Sequence, residues 1–153
     1  MENMSDILAG EPFLQDMPRE HVETLAGCAQ NVVFQAGQFI FREGQAANEF
    51  YLIRHGRVAV EIYAPARGAI VIETLGPGEV LGWSWMVAPY QWRFDARATE
   101  LVRAVSLDGR CLRTKCESNH ELGYELLRRL SSVVAQRLQA TRLQLLDLYG
   151  TAK

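Results

Sequence analysis

The fold is decided by residues 49–58, which read EFYLIRHGRV. Residues 49–54 are rich in aromatic and aliphatic side chains, a composition that predicts a β-strand. His55-Gly56 follows, and because glycine tolerates a positive φ this pair predicts a tight hairpin turn. In residues 57–63, Val and Ile alternate with other residue types, which predicts a second strand with one apolar face.

The same pattern recurs on both sides of this stretch. Short runs rich in Val, Ile, Phe or Ala lie at 31–34, 38–42, 69–75, 80–81, 94–100 and 101–107. The tetrapeptide Gly76-Pro77-Gly78-Glu79 is a strong turn signal between two of them. About eight short strands at regular spacing predict a β-sandwich or barrel.

The residues before the barrel have helical spacing. Ser5 is expected to cap a short turn that runs through Leu8. Pro18 stands where a helix can begin, and residues 19–30 carry apolar side chains at helical intervals. We therefore expect a single domain over 1–153, with N-terminal helices over 1–30, a β-barrel over 31–108 and C-terminal helices over 109–150.

The C-terminal part is also predicted to be helical. A short helix is expected over residues 110–118, after which Asn119 can cap a second helix. That second helix is expected to run from about residue 121 to residue 149 and to stop at Gly150. With a rise of about 1.5 Å per residue, it would be more than about 40 Å long.

Two apolar stripes run along this long helix. The first consists of Leu122, Leu126, Leu130 and Val133, and we expect it to pack on the barrel. The second alternates in steps of four and three, as in a heptad seam, and consists of Leu127, Ser131, Val134, Leu138, Thr141, Leu145 and Leu148. Since an apolar stripe needs a cover, we expect a parallel homodimer along this seam; the alternative is packing on the chain's own domain.

The composition argues against several classes of protein. Of 153 residues, 48% are hydrophobic and 22% charged, which is typical of soluble globular proteins. The net charge is −2 with no basic block, so no nucleic-acid partner is expected, and no apolar run reaches the roughly 20 residues of a membrane span. The N-terminus lacks the layout of a signal peptide, so we expect a cytoplasmic protein.

The reactive side chains give no sign of catalysis. The chain has three cysteines, Cys28, Cys111 and Cys116. An odd number argues against a disulfide framework and fits a reducing compartment. The three histidines are scattered and metal-ligand spacing is absent, so no metal site is expected. The sequence contains no catalytic motif of the nucleophile, paired-carboxylate, Walker or zinc type. We expect no catalytic residues and a protein that is not an enzyme.

The order of elements and four stretches resemble the cyclic nucleotide-binding domain shared by catabolite activator proteins, cyclic-AMP-dependent kinase regulatory subunits and cyclic-nucleotide-gated channels. The stretches are FIFREG at 39–44, EFYLIRHGRV at 49–58, LGPGEVLG at 75–82 and RLQAT at 137–141. The resemblance extends from about Phe13 to Leu148. It implies a Crp/Fnr-like regulatory module: a mostly β double-stranded β-helix, or jelly-roll barrel, with short N-terminal helices and a long C-terminal helix.

The resemblance also implies a ligand site. In the family, a glycine and the amides of a short helix hold the cyclic phosphate, a glutamate binds the ribose, and an arginine pairs with the phosphate. In this chain Trp83 stands at the position of the glutamate and Trp92 at the position of the arginine. Arg93 follows one residue later. The site that is implied consists of Gly82, Trp83, Ser84, Trp92, Arg93 and Thr141, the last at the position of an adenine-contacting threonine.

Alternatives stay open for the side chains of this segment. Trp83, Trp85 and Trp92 either stack on a bound purine or fill the pocket and close it. Arg93 either holds a phosphate or forms an ion pair with Asp95, which points the same way on a strand.

Two functional hypotheses follow. The first is a regulatory module that senses cAMP, cGMP or a similar small anionic ligand and signals through a protein partner. The second is a ligand-free dimeric scaffold with a pocket plugged by tryptophan. Glu79 is interpreted as a turn residue under both. The family's transcription factors continue into a helix-turn-helix, whereas this sequence ends at Lys153, so DNA binding by this chain is not expected.

Overall fold

The structure is a computed structural model that describes residues 3–151, with side chains described for residues 3–148. The helices are α1 (Met4–Ala9), α2 (Arg19–Ala26), α3 (Gly109–Ser118) and α4 (His120–Thr151), with 3₁₀ turns at Pro12–Leu14 and Ser84–Met86. The strands are β1 (Ala29–Phe34), β2 (Phe39–Phe41), β3 (Glu49–His55), β4 (Val58–Ala64), β5 (Gly68–Leu75), β6 (Val80–Leu81), β7 (Asp95–Ala98) and β8 (Val102–Asp108).

These strands form two four-stranded antiparallel sheets. One has the strand order β1-β8-β3-β6 and the other the order β2-β7-β4-β5. The helices flank the sheets at both ends of the chain. The predicted fold class, a jelly-roll barrel with short N-terminal helices and a long C-terminal helix, is confirmed.

Strand β3 is apolar at successive positions because both of its faces are covered. Phe50 and Leu52 pack toward the helices, whereas Tyr51 and Ile53 point between the two sheets. All four side chains are buried. Successive residues of a strand face opposite sides, so a strand covered on both faces needs apolar residues at every position. Burial of each such side chain stabilises the fold by about 1.5–3 kcal/mol.

The turn at His55-Gly56 does not close a hairpin, and this part of the prediction is wrong. Strand β3 pairs with β6 and β8, while β4 pairs with β5 and β7, so the turn carries the chain from one sheet to the other. Gly56 has a φ of +89°, and a Cβ at this position would collide with the backbone carbonyl of Leu101. Gly56 therefore lies at a corner where two backbone segments cross at close distance.

The N-terminal helices differ from the expectation in their ends. Ser5 lies inside α1, and the cap is Asn3, whose side chain accepts the amide hydrogen of Asp6 at 2.9 Å. Helix α2 ends at Ala26 rather than at residue 30, because Ala29 and Gln30 already pair with strand β8. The barrel consequently begins two residues before the predicted boundary.

Helix α4 begins close to its predicted position. The Asn119 side chain accepts the amide hydrogen of Leu122 at 3.1 Å, as predicted for a cap. The helix continues through Gly150 to Thr151, the last residue that the structure describes, so the predicted stop at Gly150 is wrong. The stripe of Leu122, Leu126, Leu130 and Val133 packs against the core, as expected. Among the described residues, no helix is long and apolar enough to cross a membrane.

The cysteines contradict the expectation that no disulfide forms. Cys28 and Cys111 are joined by a disulfide, and Cys116 is a free thiol. The two bonded residues are 83 positions apart, so no local spacing pattern signals the pair. They meet because β1 runs antiparallel to β8, which places the start of β1 beside the start of α3.

Gly56→Ala is predicted to destabilise the fold more than Gly37→Ala. Both glycines have positive φ values, +89° and +87°, so both variants lose about 1–3 kcal/mol to backbone strain. A Cβ at position 37 enters open space, whereas one at position 56 must also displace Leu101. Urea midpoints of the two variants measure the difference. Equal losses of stability would contradict a close crossing at Gly56.

Candidate ligand site and helix interface

Gly82 lies between strand β6 and a short helical turn. Strand β6 ends at Leu81, Gly82 follows with a φ of +96°, and the 3₁₀ turn Ser84–Met86 comes next. Trp83 is the N-cap residue of this turn and Ser84 is buried. A glycine and a short helical turn therefore lie where the resemblance implies phosphate binding. We call this segment, residues 82–86, the cradle.

The Trp92 ring occupies the space next to Gly82. A Cβ added to Gly82 would lie 2.5 Å from the Trp92 ring. The indole stacks on Phe41 with ring centroids 3.7 Å apart and an interplanar angle of 6°. Trp92 is 3% exposed and belongs to the core between the two sheets. The position where the resemblance implies a phosphate-binding arginine is thus filled by an apolar ring.

Arg93 lies on the outer side of this segment. Its side chain is exposed, whereas the preceding Trp92 is buried, because neighbours in an extended chain face opposite sides. Asp95 accepts the amide hydrogen of Glu43 at 2.7 Å and pairs with Arg42, whose Nε lies 3.5 Å from Oδ1. The ion pair considered between Arg93 and Asp95 is thus replaced by one between Arg42 and Asp95.

The three tryptophans do not form one cluster. Trp85 is fully buried on the helix side of the first sheet, where it stacks on Phe50 at 4.9 Å. Trp83 is half-buried and contacts both cores, with its ring 5.9 Å from that of Phe94. Trp92 therefore fills the cradle, Trp85 belongs to the core under the helices, and Trp83 lies between the two cores.

Arg137 on α4 is a site residue to which the sequence analysis assigned no role. Its side chain is only 12% exposed and its guanidinium donates a hydrogen bond to the carbonyl of Val80, at the start of β6. The Nε atom lies 3.5 Å from Oε1 of Glu73, and the guanidinium lies over the Trp83 ring, 5.2 Å from its centroid. One arginine thus connects the long helix to the strand that leads into the cradle.

The charges at this contact are perturbed by burial. Desolvation lowers the pKa of Arg137, an effect that the nearby carboxylates of Glu73 and Glu79 oppose. Burial raises the pKa of Glu73, which the Arg137 charge opposes and the Glu79 charge reinforces. Glu79 accepts the amide hydrogen of Gly76 at 3.0 Å, which confirms its interpretation as a turn residue.

Thr141 lies one turn beyond Arg137. Its hydroxyl donates to the Arg137 carbonyl at 2.9 Å, inside α4, and its side chain is exposed in the single chain. The structure therefore brings Gly82, Trp83, Ser84 and Trp92 together at the end of β6. It places Arg93 and Thr141 on the surface of the chain.

The predicted seam of α4 is uncovered in the single chain. Leu127, Leu138 and Leu145 are 55%, 51% and 53% exposed, and Val134 is half-buried. A groove of about 380 Å³ runs beside this seam, between α4 and the segment after Gly82. It is lined almost entirely by apolar side chains: Trp83, Met86, Val87, Leu127, Leu130, Ser131, Val134, Ala135 and Leu138.

Comparison with known proteins identifies the family of this domain. Residues 31–119 match the model of the cyclic nucleotide-binding domain. Over 148 residues the chain is 30% identical to a CRP-like cAMP-activated global transcriptional regulator of Mycobacterium tuberculosis. That match covers 97% of this chain but only 64% of the relative's length.

Solved structures show the same fold. A cyclic nucleotide-binding domain from Methylobacillus flagellatus superposes with a TM-score of 0.79 at 21% identity, covering 95% of this chain and 82% of that one. The catabolite activator protein of Thermus thermophilus gives a TM-score of 0.71 at 21% identity, covering 92% of this chain and 63% of that one. Since the family match spans more than half of its residues, the chain belongs to the cyclic nucleotide-binding domain family.

Proposed function

We propose that this chain is a regulatory interaction module whose phosphate cradle is filled by its own Trp92 side chain, and that two copies joined along α4 form its working unit. The observation that carries the proposal is the Trp92 ring packed against Gly82. In the family this space receives the charged part of the ligand. Here it belongs to the hydrophobic core.

Displacing this ring is costly. A tryptophan side chain buries about 150–250 Å² of surface, and removing a large aromatic side chain from a core costs about 3–5 kcal/mol. A cyclic nucleotide would have to supply this free energy before it gained any affinity from the cradle amides. It would also meet Trp83 where the family has a carboxylate for the ribose, and an indole cannot accept that hydrogen bond.

A second candidate function is the sensing of a cyclic nucleotide or a similar small anion. Family membership favours it, and so does the retained sequence of glycine and short helical turn at 82–86. In this form the Trp92 ring leaves the cradle and Arg93, one residue away, turns inward to pair with the phosphate. Gly82, Trp83 and Ser84 then contact the ligand, and Thr141 contacts the base.

Both candidates are non-catalytic and cytoplasmic, and both signal through a protein effector that contacts the paired long helices. The contact of Arg137 with Val80 and Glu73 gives the route between barrel and helix. Any shift of β6 changes the hydrogen bond to Val80 and therefore the position of α4. The chain contributes to regulation through this mechanical link rather than through a reaction.

Pairing along α4 is supported by the seam itself. Leu127, Leu138 and Leu145 are each more than half exposed and lie at heptad positions, and the apolar groove continues their surface onto Trp83 and Val87. A second α4 that packs parallel to the first covers the seam residues of both helices. Ser131 and Thr141 are the polar positions that would fix the register.

Titration with cyclic nucleotide tests the filled cradle. Isothermal titration of the wild type with cAMP and cGMP up to millimolar concentration is expected to show no binding. The double variant Trp83→Glu, Trp92→Arg supplies the carboxylate and guanidinium of the family and vacates the ring position, so it is expected to bind. Trp92→Phe, which keeps an aromatic ring in the cradle, is the matched control and is expected to stay silent.

Tight binding by the wild type would instead support the second candidate. In that case Arg93→Ala is expected to weaken the affinity by about 2–3 kcal/mol, the value of a lost hydrogen bond to a charged group. Thermal unfolding of each variant shows that the fold is retained.

Charge insertion tests the dimer seam. Leu138→Glu on the seam is expected to convert a dimer into a monomer, because the carboxylate would be buried between two helices. Leu143→Glu is the matched control, since Leu143 is similarly exposed at 54% but lies off the seam, and it should leave the dimer intact. Sedimentation equilibrium measures the mass. A monomeric wild type, or equal effects of both substitutions, would exclude the seam as the interface.

Removal of the Arg137 charge tests the link between barrel and helix. Arg137→Gln is expected to lower the free energy of unfolding by about 1–3 kcal/mol at pH 7, because the half-buried Glu73 loses its counter-charge. The pKa of Glu73 is already raised and rises further without Arg137, so protonation relieves the cost as the pH falls. The difference between variant and wild type should therefore shrink from pH 7 to pH 5. A pH-independent difference would argue against the Glu73 contact.

A further inference from the structure

The disulfide lies at a junction of three elements. Cys28 stands between α2 and β1, and Cys111 lies in the first turn of α3. The bond therefore connects the N-terminal helices and the first strand of the barrel to α3. Helix α3 is followed directly by α4, so the bond lies close to the start of the long helix.

A small pocket lies beside the two bonded cysteines. Cys28 is 8% exposed and Cys111 is half-buried, and both line a pocket of about 300 Å³. The other walls of this pocket are mostly polar and come from Gln30, Asn48, Glu49, Ser106, Asp108 and Arg110, together with Gly27 and Ala29. A pocket of this kind favours small polar molecules over apolar ones.

The backbone holds the two cysteines together without the covalent bond. The Asp108 amide donates to the Cys28 carbonyl at 2.8 Å, and the Asp108 carboxylate accepts the amide hydrogens of Arg110 and Cys111 at 2.9 and 3.1 Å. None of these bonds involves a sulfur atom, so breaking the disulfide does not by itself remove them. The two thiols then stay close to each other, so the bond can form again in the folded protein.

The third cysteine does not compete for this bond. Cys116 follows Cys111 by five residues on α3, which places it about 140° around the helix axis. It packs against Gly123 of α4, away from the disulfide. The exchange site is therefore limited to one pair of sulfur atoms.

Helix α3 can transmit a change at this bond. The Arg113 guanidinium donates to the carbonyl of Trp85 and lies over the ring of Tyr90, so α3 supports the segment between Gly82 and Trp92. Cys116 and Gly123 form its contact with α4. Loosening the first turn of α3 thus affects both the filled cradle and the long helix.

We propose that Cys28–Cys111 is a thiol–disulfide exchange site that takes small polar thiols from the adjoining pocket and sets how firmly α3 is held to the barrel. A thiolate attacks Sγ of Cys111, the bond to Cys28 breaks, and the Cys28 thiolate takes up a proton. A second thiolate then attacks the mixed disulfide and releases Cys111, which is also protonated. The protein disulfide gains two electrons while two small thiols become one small disulfide.

Redox titration of the folded wild type tests this site, with glutathione and its disulfide as the probe. Trapping with an alkylating agent and peptide mass analysis are expected to show a single two-electron transition shared by Cys28 and Cys111. Cys116 should be alkylated at every ratio once the trapped protein is unfolded, and Cys116→Ser should titrate like the wild type. Absence of a Cys28–Cys111 linkage in the oxidised buffers would overturn the proposal. A linkage that persists in excess reduced glutathione until the protein unfolds would also overturn it.

Hydrogen exchange tests the structural consequence. Reduction is expected to speed amide exchange in residues 109–118 by about tenfold, because the first turn of α3 loses a covalent tether. The double variant Cys28→Ser, Cys111→Ser should show the fast rates in every buffer. Exchange in α3 that does not change with the redox state of the wild type would show that the bond does not control α3. The wild-type measurement is decisive even where the double variant does not fold.

Discussion

The contact between the Trp92 ring and the backbone of Gly82 is the physical constraint on which the proposed function depends. It needs a residue without Cβ at position 82 and a flat partner, Phe41, on the other side of the indole. With both present, the hollow that the family keeps for a ligand becomes a continuous part of the core between the sheets. The same glycine that elsewhere admits a phosphate here admits an aromatic ring, so glycine alone does not identify a nucleotide site.

Helix α4 is attached to the rest of the domain in two different ways. Leu122, Leu126 and Leu130 fix its first turns by burial, whereas farther along the helix the largely buried guanidinium of Arg137 donates a hydrogen bond to the carbonyl of Val80. Hydrophobic burial is insensitive to small rotations, but a hydrogen bond to one carbonyl is directional. Burial therefore anchors the first half of the helix, and under the proposed function the Arg137 contact is the point at which the direction of the helix responds to β6.

Sequence pattern predicted the strands, the long helix and its two stripes, because these depend on local periodicity. It failed where two distant segments meet. The turn at Gly56 was read as a hairpin, since nothing local shows that Leu101 crosses it, and the pairing of Cys28 with Cys111 depends on the register of β1 against β8. The sequence could not decide whether the tryptophans stack on a ligand or fill the pocket, because tertiary packing sets the direction of side chains in an irregular segment.

A cradle filled from within changes how a regulatory module can be switched. In a barrel that is controlled by a ligand, the ligand occupies or leaves the cradle, and the position of the long helix changes in response. If Trp92 keeps its place, as the proposed function requires, the cradle stays occupied, and the variable must be a contact that surrounds it. The contacts that meet this requirement are those between α3 and the tryptophan segment, through Arg113, and between α4 and β6, through Arg137. Arg137 lies on α4, the helix that carries the seam, and Arg113 lies on α3, whose Cys116 packs beside Gly123 of α4. Under the proposed function, a change at either contact would reach the surface where a second chain packs.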